Sequence, residues 1–383
     1  MKTVYLDNAA TTPLRDEVVE VMCRVLKENF GNPSSTHSFG RSSKALLEQS
    51  RKRIAKAFNV SASEIIFTSG GTEANNFILK NAVENLGVNR IITSKIEHHA
   101  VLHTIEDLQE RYNITVEFVD LDSKGIIDFS SLERLLQRSE KTLVSLMHVN
   151  NEIGNILNLK PVSDLCVQYK ALFHTDTVQS IGHFALDFKA LNVDFAVASA
   201  HKFNGPKGVG FAYVKRGRHL KSQIVGGEQE RGLRAGTEAI HNIVGMEKAL
   251  QLALDNLEID TSKLIKLKAY CIEQLKKQLP EVEFNGDSAN MHHSAYSILN
   301  IRLPKIKDQA SMLQFQLDLK GIACSRGSAC QSGSLQNSHV LTEILEPEAL
   351  KQPSLRLSFG IFNTTEDIDY LVSILKDLSL KSS

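Results

Sequence analysis

A lysine, a cysteine, an aspartate and a glycine turn are each of a type, and in a place, that could do chemistry. Lys202 lies in His201-Lys202-Phe203-Asn204-Gly205-Pro206, just past the apolar run Phe195 to Val197. A lysine amine whose charge is suppressed by burial or a nearby cation attacks carbonyl groups. A solvated lysine at a strand end does nothing of the kind. His201 can hydrogen-bond a phosphate or merely cap the turn. Asp176 ends an apolar run through Leu172 and Phe173, with Gln179 just beyond. A carboxylate there can keep a heterocyclic ring nitrogen protonated, or it can cap a helix. Gly70-Gly71-Thr72-Glu73 separates Ile65-Ile66-Phe67 from a helix-like stretch. It is either a phosphate cradle at a helix N-terminus or a tight turn with Thr72 as N-cap.

Cys330 sits among small polar residues in Arg326-Gly327-Ser328-Ala329-Cys330-Gln331-Ser332-Gly333. Free cysteines are usually buried, so a thiol on such a loop is a candidate nucleophile, with Arg326 able to favour its thiolate. Cys23, Cys166, Cys271 and Cys324 fall on helical or apolar segments and read as structural. His98 follows a strand-like segment and is the most suggestive histidine; the others show no pattern. Asn150-Asn151-Glu152 lines a crevice or forms a turn. Arg356, between Leu355 and Leu357, needs an anion: a substrate carboxylate gripped by its fork, or an internal salt bridge.

Apolar strand-like runs alternate with helical patterns, and the polar clusters follow the strands. This predicts an α/β protein with a mostly parallel sheet. In such sheets ligands bind beyond the carboxyl ends of the strands. Gly70-Gly71-Thr72, His98, Asn151, Asp176 and Lys202 are therefore expected to meet in one crevice. After about residue 250 the pattern changes. Leu264, Leu267, Cys271 and Leu275 form one stripe of a long helix, strand-like segments follow near Tyr296 to Leu303 and Gly321 to Cys324, and Asp367 to Leu378 is again helical. The stretch reads as a second, smaller α+β domain.

The whole chain has 383 residues, and 44 Lys+Arg balance 44 Asp+Glu. Zero formal charge supplies no electrostatic footprint for nucleic acid or an anionic membrane. With 42% hydrophobic and 23% charged residues the composition is that of a globular protein. No apolar run approaches the roughly 18 residues that span a bilayer, and Asp7 and Asn8 interrupt any N-terminal apolar core. Five cysteines without a CxxC pair argue against a disulfide framework or a structural zinc and for a reducing, cytoplasmic setting.

Ten ordered motifs, from YLDNAATTP through FGNPSS, FTSGGTEANN, IEHHAVL, MHVNNEIG, HTDTVQS, SAHKFNGPKGVG, GGEQERGLRAGTE and GSACQSGSLQNSHVL to LRLSFG, span nearly the whole chain. Together they resemble the cysteine desulfurases of the aminotransferase class V group. The resemblance implies fold type I, with a large, mostly parallel seven-stranded sheet domain over 16–255. A smaller α+β domain from 1–15 plus 256–383 would carry the cysteine loop, about 324–336. It implies pyridoxal 5'-phosphate as cofactor. Lys202 would hold it covalently, His98 would stack on its ring, Asp176 would pair with the ring nitrogen and Gln179 with the ring hydroxyl. Gly71, Thr72, Ser199 and His201 would bind the phosphate, and Thr237 would reach the phosphate of the other subunit of a homodimer. Asn8, Asn151 and Arg356 would hold the substrate carboxylate. No metal is implied.

The implied reaction converts L-cysteine to L-alanine. Lys202 would move the Cα proton, His98 would serve as acid and base, and Cys330 would take the sulfur as a persulfide. An acceptor protein, such as an iron–sulfur cluster scaffold, would then receive it. The cysteine motif resembles the group with a longer, mobile loop. Rival readings are another pyridoxal-phosphate activity, such as an aminotransferase or a selenocysteine lyase, and a sulfur-relay protein without catalysis. Two positions depart from the family pattern. Thr177 replaces a usual alanine and is expected to crowd its turn slightly. Asn204 stands where tyrosine or glycine is frequent and is expected to be tolerant.

Overall fold

The computed structural model describes residues 2–309, 312–326 and 338–381. Its main sheet has seven strands, in the order Ile65–Thr68, Gly210–Val214, Phe195–Ser199, Leu172–Asp176, Thr142–Ser145, Arg90–Thr93 and Thr115–Phe118. Gly210–Val214 runs antiparallel to both its neighbours, and the other pairings are parallel. Successive strand residues point to opposite faces. Ile92, Val144, Phe173, Ala196 and Phe211 enter one core, whereas Ile91, Leu143, Leu172, Phe195 and Ala212 enter the other. Burial on both faces is why these strands read as continuous apolar runs.

A second core lies around a three-stranded antiparallel sheet, Ser354–Ser358, Ile298–Arg302 and Glu283–Phe284. A parallel pair, Val4–Tyr5 with Ile322–Ala323, joins it, so the first residues of the chain pack with the last third. The long helix Leu257–Gln278 buries Leu264, Leu267, Cys271 and Leu275, the stripe seen in the sequence, and Thr365–Lys381 packs in the same core. Among the described residues no helix is long and apolar enough to cross a membrane.

An ion pair and a lysine are buried within these layers. Arg51, in the helix Ser38–Ala57, forms a two-pronged pair with Glu230 at 2.6 and 2.7 Å, and both side chains are only 2% exposed. Glu230 also accepts from the Phe67 amide at 2.8 Å, and the guanidinium lies 4.5 Å from the Phe67 ring centre. Glu230 and Arg231 have φ of +46° and +60°, a conformation costly for side chains other than glycine. The pair holds that turn against the edge strand. Lys268 is fully buried and donates to Ser294 Oγ at 2.7 Å and to the Ala295 carbonyl at 2.8 Å. Burial, partly opposed by Asp287, pushes its pKa down to about 7.

Glu230→Gln should destabilise the fold by roughly 3 kcal/mol in urea unfolding, because it strands a buried guanidinium. Arg51→Met with Glu230→Leu should lose less than the two single changes added together. Lys268 binds its proton less tightly folded than unfolded, from an ordinary 10.5 down to about 7. Stability should therefore rise with pH through that window, and Lys268→Met should flatten the rise.

Candidate active site

The polar clusters that follow the parallel strands do meet. Gly71, Thr72, His98, Asn151, Asp176, Gln179, Ser199, His201, Lys202 and Arg356 line one cavity of about 170 Å³. Ala9, Ala10, Asn75, Met147 and Val178 complete its wall. Asp176 and Ser199 end their strands and the other wall residues of the main sheet follow strand carboxyl ends, as the sheet rule requires, whereas Arg356 comes from a strand of the smaller sheet.

At one end lies the start of the helix Gly71–Glu84. Its N-cap is Gly70, at φ +153°, so Thr72 lies within the first turn and is not the cap. The first intrahelical bond runs from Ala74 N to Gly70 O at 3.1 Å. The amides of Gly71 and Thr72 precede it and have no acceptor within the helix. A Cβ on Gly71 would lie 2.6 Å from Val178 Cγ2, so only glycine leaves the approach open. His201 adds a buried Nδ1 with no protein partner. Burial, with Lys202 and Lys207 nearby, pushes His201 down to about 4. Its ring is neutral at pH 7. The arrangement suits an anion bound by N–H groups and the helix dipole.

Asp176 is 5% exposed at the end of its strand. One oxygen accepts from Asn75 Nδ2 at 2.8 Å and the other from the Val178 amide at 2.9 Å. These two bonds hold the carboxylate in place. The next residue, Thr177, does not crowd the turn. It is fully buried, and its hydroxyl donates to the Val197 carbonyl at 2.7 Å. His98 is the N-cap of His99–Tyr112, with Nδ1 accepting from Ala100 N at 3.0 Å. The neutral ring therefore carries its proton on Nε2. Burial lowers its pKa; Asp176 opposes and Lys202 reinforces the shift. Just before it, Glu97 is buried and pushed up to about 8 by desolvation, while its Oε1 accepts from Met147 N at 3.0 Å and Ser94 Oγ at 2.9 Å.

Lys202 Nζ donates to the carbonyls of Ala9 and Ala10 at 2.5 and 2.9 Å. Gln179 Nε2 donates to Ala9 O at 2.9 Å. Thr12 closes the turn behind the lysine. Its amide and hydroxyl donate to His201 O at 2.8 and 2.9 Å, and its Oγ1 accepts from Asn204 N at 2.8 Å. Asn204 is not the tolerant position its departure from the family pattern implied. It holds φ at +62°, is buried, and donates from Nδ2 to Pro13 O at 2.7 Å. Glycine would meet the first demand, whereas asparagine meets both.

Arg356 takes the internal alternative without leaving the cavity wall. Nη2 pairs with Asp7 at 2.9 Å, Nη1 donates to Asn151 O at 2.9 Å, and the buried Nε has no protein partner. Asn151 Oδ1 is likewise buried and unpartnered. Asn8 lies apart from this cavity, beside a smaller neighbouring one. Its amide donates to Ser358 O at 2.9 Å and Asn363 Oδ1 at 3.2 Å. Thr237 is exposed and outside the cavity. Cys330 lies outside the described residues. Cys166, Cys271 and Cys324 are buried as expected, but Cys23 is exposed. Reading by residue type missed Asn75 and Glu97. Asn75 lies one helical turn beyond Gly71 on the same helix face, a spacing that could have flagged it; Glu97 was visible only as the neighbour of His98.

The sequence profile of the family described as Aminotransferase class-V matches residues 4–371. A protein named cysteine desulfurase IscS from Dictyoglomus turgidum is 42% identical over 377 residues, covering 98% of this chain and 94% of that one. A solved structure described as a NifS-like protein superposes with a TM-score of 0.90 at 35% identity, covering 98% of this chain and 99% of the other. Another, described as SspA in complex with cysteine, gives a TM-score of 0.81 at 30% identity over 94% of this chain and all 100% of that one. With a family match over nearly its full length and the sheet, cavity and strand-end residues in place, the chain belongs to the aminotransferase class-V family.

Proposed function

We propose that this chain is a cysteine desulfurase that uses pyridoxal 5'-phosphate. It converts L-cysteine to L-alanine and passes the sulfur to Cys330. The observation that carries the reading is the meeting of Lys202, Asp176, His98 and an anion-binding helix start in one cavity. The relatives named cysteine desulfurase and the structure described with cysteine support the same substrate.

The residues present fit the cofactor. Free amides at Gly71 and Thr72, the bare Cα of Gly71 and the unpartnered Nδ1 of His201 suit its phosphate, with Ser199 beside them. Asp176 would keep the ring nitrogen protonated, Gln179 would meet the ring hydroxyl and His98 would cover the ring face. When bound, the cofactor draws off the electron pair released at the substrate Cα. Lys202 would anchor it, and its Nζ would take the Cα proton and give it back to Cα. His98, neutral through burial, would take the thiol proton of the substrate by releasing Nδ1 from the Ala100 amide, and would later return a proton to Cβ. Arg356, with its unpartnered Nε–H, and Asn151, through its side-chain N–H, would hold the substrate carboxylate, and Asn8 would add to that grip from the neighbouring pocket. The Cβ–S bond of cysteine breaks, an S–S bond forms at Cys330, and a proton replaces sulfur on Cβ. The products are alanine and a persulfide.

In this reading 16–255 hold the cofactor, while 1–15 plus 256–383 bring Arg356 and Cys330 to it. Thr237 reaches the phosphate of a second copy, so the active form is a homodimer. The persulfide passes to an acceptor protein in the cytoplasm, an iron–sulfur scaffold being one of suitable chemistry.

The purified protein should bind pyridoxal phosphate with a visible absorbance band that shifts on adding L-cysteine, with alanine and sulfide formed under reductant. Lys202→Ala should abolish the covalently bound form. Cys330→Ala should keep the band but lose sulfur transfer, and normal turnover in that variant would sink the proposal. His98→Ala should lower kcat by about 10²-fold or more. In the parent the acid limb of kcat should lie below pH 6.5, because burial keeps His98 neutral past the ordinary histidine value.

A further inference from the structure

Behind Lys202 lies an arrangement that the proposed reaction does not use. His183 follows Gly182, whose φ is +80°. A Cβ on Gly182 would lie 2.6 Å from the Cβ of Phe203, the residue after Lys202. The bare glycine lets this turn press against the Lys202–Phe203 backbone. His183 Nε2 then lies 3.1 Å from the carbonyl oxygen of Lys202. A carbonyl only accepts, so Nε2 carries the ring proton and Nδ1 presents its lone pair. Nδ1 is 3.3 Å from the Tyr296 hydroxyl, which donates to the His183 carbonyl at 2.7 Å. Tyr296 belongs to the core of the smaller sheet, just before the strand Ile298–Arg302. Burial lowers the His183 pKa and favours the neutral ring that this pattern needs. His183 and Tyr296 line a water-sized cavity of about 30 Å³, not the cavity that holds Lys202 Nζ.

We infer that His183 is a positioning residue for Lys202, fixed in turn by Tyr296. The inference rests on the proposed role of Lys202 as the cofactor anchor. The amine end of Lys202 is held by the carbonyls of Ala9 and Ala10, and its own carbonyl is held by His183. Both ends of the residue are therefore tied. The second tie runs through Tyr296 to the sheet that carries Arg356. A free carbonyl at Lys202 would let its backbone rotate and carry the amine away from the carbon it must reach.

The test compares the parent with His183→Ala, His183→Gln and Tyr296→Phe. Cofactor-free protein is mixed with pyridoxal phosphate. Attachment is followed by the visible band and by borohydride trapping, with the modified peptide located by mass spectrometry. Steady-state kcat and KM for L-cysteine and the thermal midpoint are measured alongside. His183→Ala should slow attachment and lower kcat, each by roughly tenfold, with KM within about twofold. His183→Gln can donate an amide N–H to the same carbonyl and should recover most of both. Tyr296→Phe should fall between. Parental attachment and kcat in His183→Ala, whatever its thermal midpoint, would overturn the inference. So would a folded His183→Gln as slow as His183→Ala. If His183→Ala does not fold, parental behaviour of Tyr296→Phe overturns it. A parent that is never trapped at Lys202 would instead refute the anchor role, and this inference would fall with it.

Discussion

The Ala9 carbonyl is the junction on which the site depends. It accepts from Lys202 Nζ and from Gln179 Nε2 at once. The short segment around it joins both cores. Asp7 pairs with Arg356, the Asn8 amide donates to Ser358 O, and Thr12 clasps the backbone on both sides of Lys202. Val4 and Leu6 sit in the smaller core, while Phe203 behind the lysine sits in the larger one. A stretch without helix or long strand satisfies its polar groups through these bonds. Its placement is therefore specified by the site it serves, and the site loses its back wall without it.

That junction also explains what could and could not be read from sequence. Asp176 and Lys202 were visible because parallel strands buried on both faces must be apolar, so the first polar residues after them mark the ligand edge. The stripe of Leu257–Gln278 was visible because helical period survives in a one-sided core. Ala9 and Ala10 were not, because they act through backbone carbonyls, which no residue type announces. Asn204 was misread because its requirement is a positive φ together with a side-chain bond to Pro13 O, and that partner lies almost two hundred residues away in sequence. Thr72 looked like an N-cap because threonine favours that place, but the glycine before the helix takes it. At Arg356 the sequence left a substrate carboxylate and an internal partner equally open. The structure supplies Asp7 and leaves Nε facing the wall, so the internal ion pair does not exhaust the guanidinium.

Desolvation sets the charge state of the site. His98, His201 and His174 all lie below the ordinary histidine range because burial disfavours the cation. A neutral His201 offers a hydrogen bond without adding a full charge, so the anion at that end relies on backbone amides. A neutral His98, with Nδ1 taken by the Ala100 amide, holds its proton on Nε2. Glu97 beside it is driven the other way, up to about 8, by the same burial. A negative charge there would repel Asp176. Burial thus keeps the cavity's histidines neutral around a hydrogen-bonded Asp176.

The same reasoning bears on which thiol can carry sulfur. A nucleophilic cysteine must be reachable and must ionise near neutral pH. Burial pushes Cys271 and Cys324 up to about 12 and raises Cys166 as well, so none of the three supplies a thiolate. Cys23 is exposed, but it lies on the helix Asp16–Glu28, which contributes no residue to the cavity wall. The proposed chemistry therefore needs Cys330. Its flanks support that role by where they end. Ser325 bonds Asp7, the partner of Arg356, at 2.8 Å. On the far side Ser338 bonds Glu152, and the His339 ring lies 2.9 Å from the Glu97 carbonyl, one residue from His98. Both described stems are thus tied to residues that neighbour or pair with Arg356, Asn151 and His98 of the cavity wall.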